Sequence, residues 1–192
     1  MTETGVTVQI TDATSNVVPN KALQEAMFEN MKRLGPPLFD EGDYAFAERL
    51  RRAALTEEDI LASVKPHDPS LRTKILHDGV LPMPLREDVM MGTTDVGDVS
   101  WIVPTVQCHT ACFAIGTPFH TWQLVAQGNL PAAHKGMVLA AKAMAATAAD
   151  CLRNLDLVAR AKAELKERTG GRAYVCPIPE NVTPDDLRAK AA

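Results

Sequence analysis

The stretch "GTTDVGDVSWIVPTVQCHTACFAIGTPFHTW" runs from Gly92 to Trp122 and decides which fold the chain can adopt. It begins with two aspartates among glycines and threonines, continues into a strand-like apolar run, and closes with a histidine after a Gly-Thr-Pro turn. Polar turns at the ends of core strands are common places for binding and catalytic sites. The stretch therefore makes Asp95, Asp98 and His120 the first candidates for functional side chains.

The composition limits the classes of protein to which the chain can belong. Its 192 residues are 46% apolar and 23% charged, which is enough for one domain with a real core. A formal net charge of −4 and scattered Lys and Arg argue against nucleic acid as the main partner. The N-terminus lacks the pattern of a signal peptide, and the weakly polar run over 136–152 is too short and too polar to span a bilayer. We therefore expect a cytoplasmic protein that binds neither nucleic acid nor a membrane.

Helical patterns dominate the rest of the sequence. The first predicted helix begins after Asn20, a favourable N-cap, and ends at Gly35. Further helices are predicted in "DEGDYAFAERLRRAAL" and "TEEDILASV", where Glu57 and Glu58 are interpreted as capping residues. An Ala-rich helix is predicted in "GNLPAAHKGMVLAAKAMAATAADCL", followed by helices in "LDLVARAKAELKERTGG" and "TPDDLRAK".

Strands, by contrast, are few. The segment "GVTVQI" (5–10) alternates β-forming residues and predicts one strand, and one or two more are predicted between Val103 and Ile115. A sheet of two or three strands cannot cover this many amphipathic helices. Either the chain is mostly helical, or its sheet is completed by residues outside it. The region from about Lys65 to Asp88 is predicted to be a long surface loop.

Three segments carry a resemblance to a known family: "MGTTDVGDVSWIVPTVQC", "AIGTPFHTWQLVAQG" and "AHKGMVLAAKAMAATAADCL". They closely resemble the M20 metallopeptidase and amidohydrolase family, and within it the group of p-aminobenzoyl-glutamate hydrolase subunits. The resemblance implies an α/β fold in which residues 13–192 form the C-terminal part of a helix-rich, αβα-sandwich, zinc-exopeptidase-like catalytic domain. Residues 1–12 would then be the last strand of a lid domain that usually mediates dimerisation.

The same resemblance implies a site with two metal ions, most of whose ligands and whose catalytic glutamate come from the absent half. The one ligand implied here is His120, which would bind zinc or manganese in the assembled site; packing between aromatic neighbours is the alternative. An imidazole ligand works best when its other nitrogen is held by an acceptor. Asp95, Asp98 and Thr117 are expected to shape the site or bind the substrate. For the two aspartates, capping of the next helix is an equal alternative.

The four cysteines invite a metal interpretation that their spacing does not favour. Cys108 and Cys112 flank His109 in the strand pattern, but Cys151 and Cys176 form no second close pair of the kind that zinc sites use. Free cysteine usually behaves as a small apolar residue. Buried, reduced, structural cysteines are therefore predicted.

Two interpretations of function stay open. In the first, the complete protein is a metal-dependent amidohydrolase that cleaves N-acyl or p-aminobenzoyl amino acids, small-molecule amides, and this chain carries only part of the site next to a complementary N-terminal half. In the second, the chain is a catalytically inactive fragment or a non-catalytic subunit that acts by association. In both, an absent half predicts uncovered apolar surface and self-association of the isolated chain.

Overall fold

The architecture, in a computed structural model, is described for residues 3–8, 10–65, 68–83, 92–180, 182–183 and 185. Helices account for 53% of these residues. In chain order they are α1 (Lys21–Leu34), α2 (Glu41–Ala54), α3 (Glu57–Val64), a short 3₁₀ helix (Pro69–Thr73), α4 (Val96–Ser100), α5 (Trp122–Gln127), α6 (Pro131–Arg153) and α7 (Leu155–Arg168). The helix-rich character predicted from the sequence is thus confirmed.

The first helix begins and ends where its caps predict. The side chain of Asn20 accepts a hydrogen bond from the Leu23 amide at the start of α1, and Gly35 ends the helix with a positive φ of 73°. The start of α3 is a capping box between Thr56 and Asp59. The prediction that Glu57 and Glu58 cap this helix is therefore wrong. The capping side chain is that of Asp59, which occupies the third helical position and accepts a hydrogen bond from the Thr56 amide.

The largest packed unit joins α1, α6 and α7. Its apolar core holds Leu23 from α1 and Leu157 from α7, and residues with small side chains surround them. At the same end, the Glu164 carboxylate of α7 accepts hydrogen bonds from the Lys21 and Ala22 amides at 2.8 and 3.0 Å. These two amides belong to the first turn of α1, which has no acceptor within its own helix. A residue far along the sequence therefore completes the capping of α1.

A second core cluster lies under α2. It contains Ala47 of α2, Leu76 and Ala114, and the ring of Phe39 packs edge-on to Tyr44 beside it. This cluster holds together the part of the chain that follows the 3₁₀ helix and the part that leads into the candidate site.

The long helix α6 buries only one of its faces. The buried residues are small: Ala133, Gly136, Ala143 and Thr147. Larger apolar side chains lie on another face, where Met137 is 59% exposed, Met144 54% and Leu152 83%.

Apolar side chains at this spacing normally face a packing partner, so the uncovered Ala/Met/Leu face expected for this helix is present. No helix in the described ranges is long and apolar enough to cross a membrane.

The predicted strands are not present. The described residues contain no strand: 3–8 and 10 are exposed coil, and 104–112 carry no strand pairing. A β-strand requires backbone hydrogen bonds to a neighbouring strand. Residues with an alternating pattern but no such neighbour therefore form extended coil and no strand. The α/β sandwich is accordingly not confirmed for this chain. The boundary between residues 12 and 13 stays a prediction, and most of "TPDDLRAK" lies outside the described residues.

Candidate functional site

The candidate site is a turn that the chain makes between Gly116 and Thr121. Gly116 has a φ of +102°, and a Cβ there would come within 2.7 Å of Ile60 Cγ1, so both its backbone conformation and its surroundings require glycine. The Thr117 hydroxyl donates to the Ala114 carbonyl at 2.7 Å, and the Thr121 hydroxyl donates to the Pro118 carbonyl at 2.8 Å. These two side chains fold the backbone back on itself.

A buried glutamine holds this turn from below. The Gln127 side chain accepts a hydrogen bond from the Ala114 amide at 2.8 Å and donates to the Thr117 hydroxyl at 2.9 Å and the Gln123 carbonyl at 3.0 Å. All of its hydrogen-bonding groups are therefore used within the chain. Gln127 ties α5 to the turn and was not among the residues predicted from the sequence.

His120 stands at the tip of the turn and faces solvent. Its φ of 60° lies in the left-handed region, which non-glycine residues seldom adopt. Exposed aromatic rings flank it: Phe119 is 63% exposed and packs edge-on to Phe113, and Trp122 is 64% exposed. His120 is exposed, and the strand at whose end the sequence placed it is not formed, because the preceding described segment is unpaired. Packing of His120 between the two rings as part of a core is excluded by the exposure of all three side chains.

Thr117 was expected to shape the site or to bind the substrate. It is buried beneath the turn, with its hydroxyl bonded to Ala114 and Gln127. In this position Thr117 shapes the turn from a buried site.

Asp98 belongs to a different cluster from His120. Its carboxylate accepts hydrogen bonds from the Ser15 amide at 3.2 Å and from the Tyr174 hydroxyl at 2.8 Å. The Ser15 side chain, followed by the Tyr174 hydroxyl, lowers the pKa of Asp98, and the same carboxylate raises the pKa of Tyr174 to about 12. Asp98 therefore joins the N-terminal segment, α4 and the C-terminal segment.

Asp95 precedes α4 but does not cap it through its side chain, and it is exposed. The capping alternative is therefore wrong for Asp95, and Asp98 serves as a cross-link instead. No hydrogen bond joins either aspartate to the turn that carries His120 within the described part of the chain.

A charged cluster that the sequence did not reveal lies near the start of α6. The Lys135 ammonium contacts Asp40 at 2.6 Å and Asp43 at 2.5 Å, so it bridges the carboxylates of the capping box that begins α2. The hydrogen bonds to Asp40 and then Asp43 raise the pKa of Lys135, and the same contact lowers the pKa of Asp40. An open cavity of about 300 Å³ adjoins this cluster and reaches Gln127 and Cys112. The sequence did not predict this cluster, because Lys135 is more than 90 residues away from Asp40 and Asp43 in the chain.

The remaining metal-binding residue types are dispersed. All four cysteines are free; Cys108, Cys112 and Cys151 are half-buried and Cys176 is exposed. Burial was therefore a wrong prediction for Cys176. Among the residues that the structure describes, no group of three or more His, Cys, Asp or Glu is arranged to hold a metal ion. His120 is thus not part of a three-ligand set in the described part of the chain.

The chain is similar in sequence to part of a known hydrolase. No family model matches the chain, and no solved structure matches it. The chain is 40% identical over 98% of its length to a p-aminobenzoyl-glutamate hydrolase subunit of Escherichia coli (strain K12). The resemblance to this group of hydrolases, expected from the motifs, is confirmed. The chain spans 41% of the length of that relative.

Proposed function

We propose that the chain is part of a metal-dependent amidohydrolase that cleaves N-acyl or p-aminobenzoyl amino acids, with p-aminobenzoyl-glutamate as the type of substrate. The observation that carries this proposal is the 40% identity across 98% of the chain to a p-aminobenzoyl-glutamate hydrolase subunit. The motif resemblance supports the proposal that the chain is the C-terminal part of an M20 catalytic domain. The complementary N-terminal part would supply the other metal ligands and the catalytic glutamate.

His120 is the residue through which this chain would contribute to a metal centre. Its imidazole is exposed on a turn whose base is fixed by Gln127 and Thr117, and imidazole is a ligand that suits zinc. A metal ion does not fit the chain by itself, because the described residues contain no group of three or more His, Cys, Asp or Glu arranged to hold one. The metal therefore belongs to the assembled protein, and we assign no catalytic step to it here.

The aromatic residues next to His120 in sequence support the proposal that the substrate carries an aromatic acyl group. Phe119 and Trp122, which lie one and two residues from His120 in sequence, present exposed apolar ring surface. A benzoyl ring prefers edge-on or offset contacts with such rings, and these add about 0.5–1.5 kcal/mol to the burial of area. The two rings would hold the acyl side of the amide near His120.

The decisive experiment measures release of p-aminobenzoate from p-aminobenzoyl-glutamate. The chain would be assayed alone and with a polypeptide comprising the part of the Escherichia coli relative that it does not span, with and without a chelator. We expect no turnover by the chain alone, since one ligand and no general base cannot support hydrolysis. We expect chelator-sensitive turnover by the complex.

Matched histidine variants test the assigned residue. His120→Ala should abolish the turnover of the complex, whereas His109→Ala, which removes another exposed imidazole, should leave it unchanged. Chelator-sensitive turnover by the chain alone, or full activity of the His120→Ala complex, would contradict the proposal.

A second candidate is a non-catalytic subunit that acts by association. The uncovered face of α6 favours it, since Met137, Met144 and Leu152 offer apolar area without supplying chemistry. Formation of a stable complex that never hydrolyses the amide, with intact metal binding by the partner, would favour this function over the first.

A further inference from the structure

The cavity beside the charged cluster lies between α2, the start of α6 and the segments that carry Cys112 and Gln127. Its volume of about 300 Å³ is at the lower end of the range in which proteins bind small molecules. Gly42, Phe46 and Arg49 line it from α2 at intervals of four and three residues, which place them on one face of the helix. That face of α2 therefore forms one wall of the cavity.

The deepest part of the cavity is apolar. Ala47 and Leu76 line it and belong to the buried core cluster under α2, while Leu130 and Pro131 line it from the start of α6. The ring of Phe46 adds an aromatic surface. An aromatic ligand gains from edge-on or offset contact with such a ring as well as from the apolar area that it buries. The cavity thus suits a small, flat, apolar body.

Arg49 brings a positive charge to this apolar space. Its guanidinium lies 5.8 Å from the centre of the Phe46 ring. The neighbouring Glu48 pairs with Arg52 at 3.0 Å, and no carboxylate in the described part of the chain forms an ion pair with Arg49. A guanidinium stays charged at any physiological pH and binds a carboxylate through two parallel hydrogen bonds. Arg49 is therefore available to bind the carboxylate of a ligand.

The other end of the cavity can accept a hydrogen bond from a ligand. Asp40 and Asp43 line it, and the Lys135 ammonium contacts both carboxylates, so much of their charge is balanced. The Asp40 side chain is 66% exposed and has lone pairs beyond those that bind Lys135. Nine residues separate Asp40 from Arg49, which corresponds to roughly 13 Å along a helix axis. An aromatic ring with polar groups at its two ends fits between them.

We propose that this cavity binds a small aromatic carboxylate, with the carboxylate at Arg49, the ring against Phe46 and an amino group at the far end of the ring directed to Asp40. p-Aminobenzoate, which the proposed hydrolysis would release, has these three parts. The inference rests on the proposed function only for the choice of this compound, since the chemistry of the cavity defines the class.

A ligand in this cavity would lie next to the side chain that holds the candidate site. Gln127 lines the cavity and donates to the Thr117 hydroxyl at 2.9 Å beneath the turn that carries His120. Occupancy would change the surroundings of Gln127 without blocking the exposed imidazole. The cavity would thereby link the concentration of a product to the turn.

A titration of the isotope-labelled chain followed by NMR tests the ligand class. We expect p-aminobenzoate to shift the amide signals of Phe46, Leu76 and Gln127 with a Kd on the order of 1 mM, as is usual for so small a ligand. Aniline, which lacks the carboxylate, should bind about tenfold more weakly or worse. Glutamate, which lacks the ring, should cause no shift at these residues.

Matched arginine variants test the assigned residue. Arg49→Gln should weaken the binding of p-aminobenzoate about tenfold and leave that of aniline unchanged, because only the carboxylate contacts the guanidinium. Arg52→Gln, which removes a neighbouring charge of α2 that does not line this cavity, should leave both affinities unchanged. Both positions are exposed, so circular dichroism of the two variants should match that of the parent chain.

The two neighbouring cysteines provide a measurement that does not depend on NMR. Cys108 and Cys112 are both half-buried, but only Cys112 lines the cavity. An excess of p-aminobenzoate over its Kd should slow the alkylation of Cys112 by iodoacetamide about fivefold, in proportion to the unoccupied fraction. The alkylation of Cys108, read in the same mass spectra, should keep its rate.

Several outcomes would overturn the inference. These are the absence of shifts at ten times the expected Kd, shifts away from the cavity, equal affinity of the parent chain and Arg49→Gln, and equal protection of both cysteines. Loss of binding on addition of the polypeptide from the uncovered part of the Escherichia coli relative would also overturn it, since that polypeptide would then occupy the cavity. Binding without hydrolysis would refute the proposed function and leave this site intact, whereas hydrolysis without binding would do the reverse.

Discussion

Replacing Gln127 by alanine should destabilise the fold more than any other single polar truncation near the turn. The side chain is buried and holds the Ala114 amide at 2.8 Å, the Thr117 hydroxyl at 2.9 Å and the Gln123 carbonyl at 3.0 Å. Thr117 keeps its bond to the Ala114 carbonyl in the variant. The Ala114 amide, which is buried, loses its acceptor.

The size of the effect follows from these contacts. A buried donor without an acceptor costs about 1–3 kcal/mol, and the cavity left by the removed atoms adds to this. We expect the free energy of unfolding to fall by about 2–4 kcal/mol, which corresponds to a Tm lower by roughly 5–15 °C for a chain of this size. Gln123→Ala is the matched control, since its side chain makes one bond, at 3.3 Å to the Ala54 carbonyl.

Urea unfolding followed by circular dichroism measures both variants. Gln123→Ala should lose less than about 1 kcal/mol, the net value of an ordinary hydrogen bond. Equal, small losses in the two variants would refute the conclusion that Gln127 fixes the turn that carries His120.

Three further predictions concern other parts of the chain. Gly97→Ala should cost about 1–3 kcal/mol by overpacking, because its Cβ would overlap the Ser15 carbonyl, while Gly5→Ala, with open space around it, should be neutral; equal urea midpoints would contradict this. Because the pKa of Asp98 is lower in the folded chain than its ordinary value of 3.8, the ionised carboxylate stabilises the fold at pH values above 3.8. This contribution to the free energy of unfolding is lost as the pH falls through the lower pKa of the folded chain. The difference in Tm between the parent chain and Asp98→Asn should therefore shrink from pH 6 to pH 3, and a constant difference would count against the cross-link. Met144→Lys should reduce the self-association expected from the uncovered face of α6 in sedimentation experiments, whereas Lys142→Ala should not, and a monomeric parent chain at high concentration would remove the basis of this prediction.

Local signals in the sequence were sufficient for the longer helices. Asn20 and Gly35 mark the ends of α1 because a cap is formed by residues within one turn of the helix. The short helix α5 was missed, and α4 entered only through the alternative in which Asp95 or Asp98 caps the next helix; neither helix has a side-chain hydrogen bond at its N-cap. Without a cap or a long apolar repeat, a helix of five or six residues has no local mark.

The strands and the base of the site could not be predicted because they depend on distant groups. One or two strands were predicted between Val103 and Ile115, but pairing needs a neighbour that the described residues do not provide. His120 was found because a Gly-Thr-Pro turn is visible in the sequence. Gln127 was not, since nothing in "WQLVAQG" shows that its amide reaches back to Ala114 and Thr117. The Lys135 cluster was missed for the same reason.

The capping of α1 by α7 has a consequence for the order in which the chain folds during its synthesis. The side-chain amide of Asn20 donates to the Ala161 carbonyl, 141 residues away in sequence. The Glu164 carboxylate accepts from the backbone amide of Lys21, 143 residues away. Contacts so distant in sequence form only after a large loop has closed, at a considerable entropic cost.

On the ribosome, α1 therefore emerges long before the residues that secure its first turn. Its apolar face, with Leu23 and Met27, remains exposed to solvent until Leu157 and Ala161 have left the exit tunnel. Domains generally fold as units during synthesis, and exposed apolar surface on the waiting chain attracts aggregation and chaperones. Truncation before Leu157 should therefore yield a nascent chain in which α1 never docks.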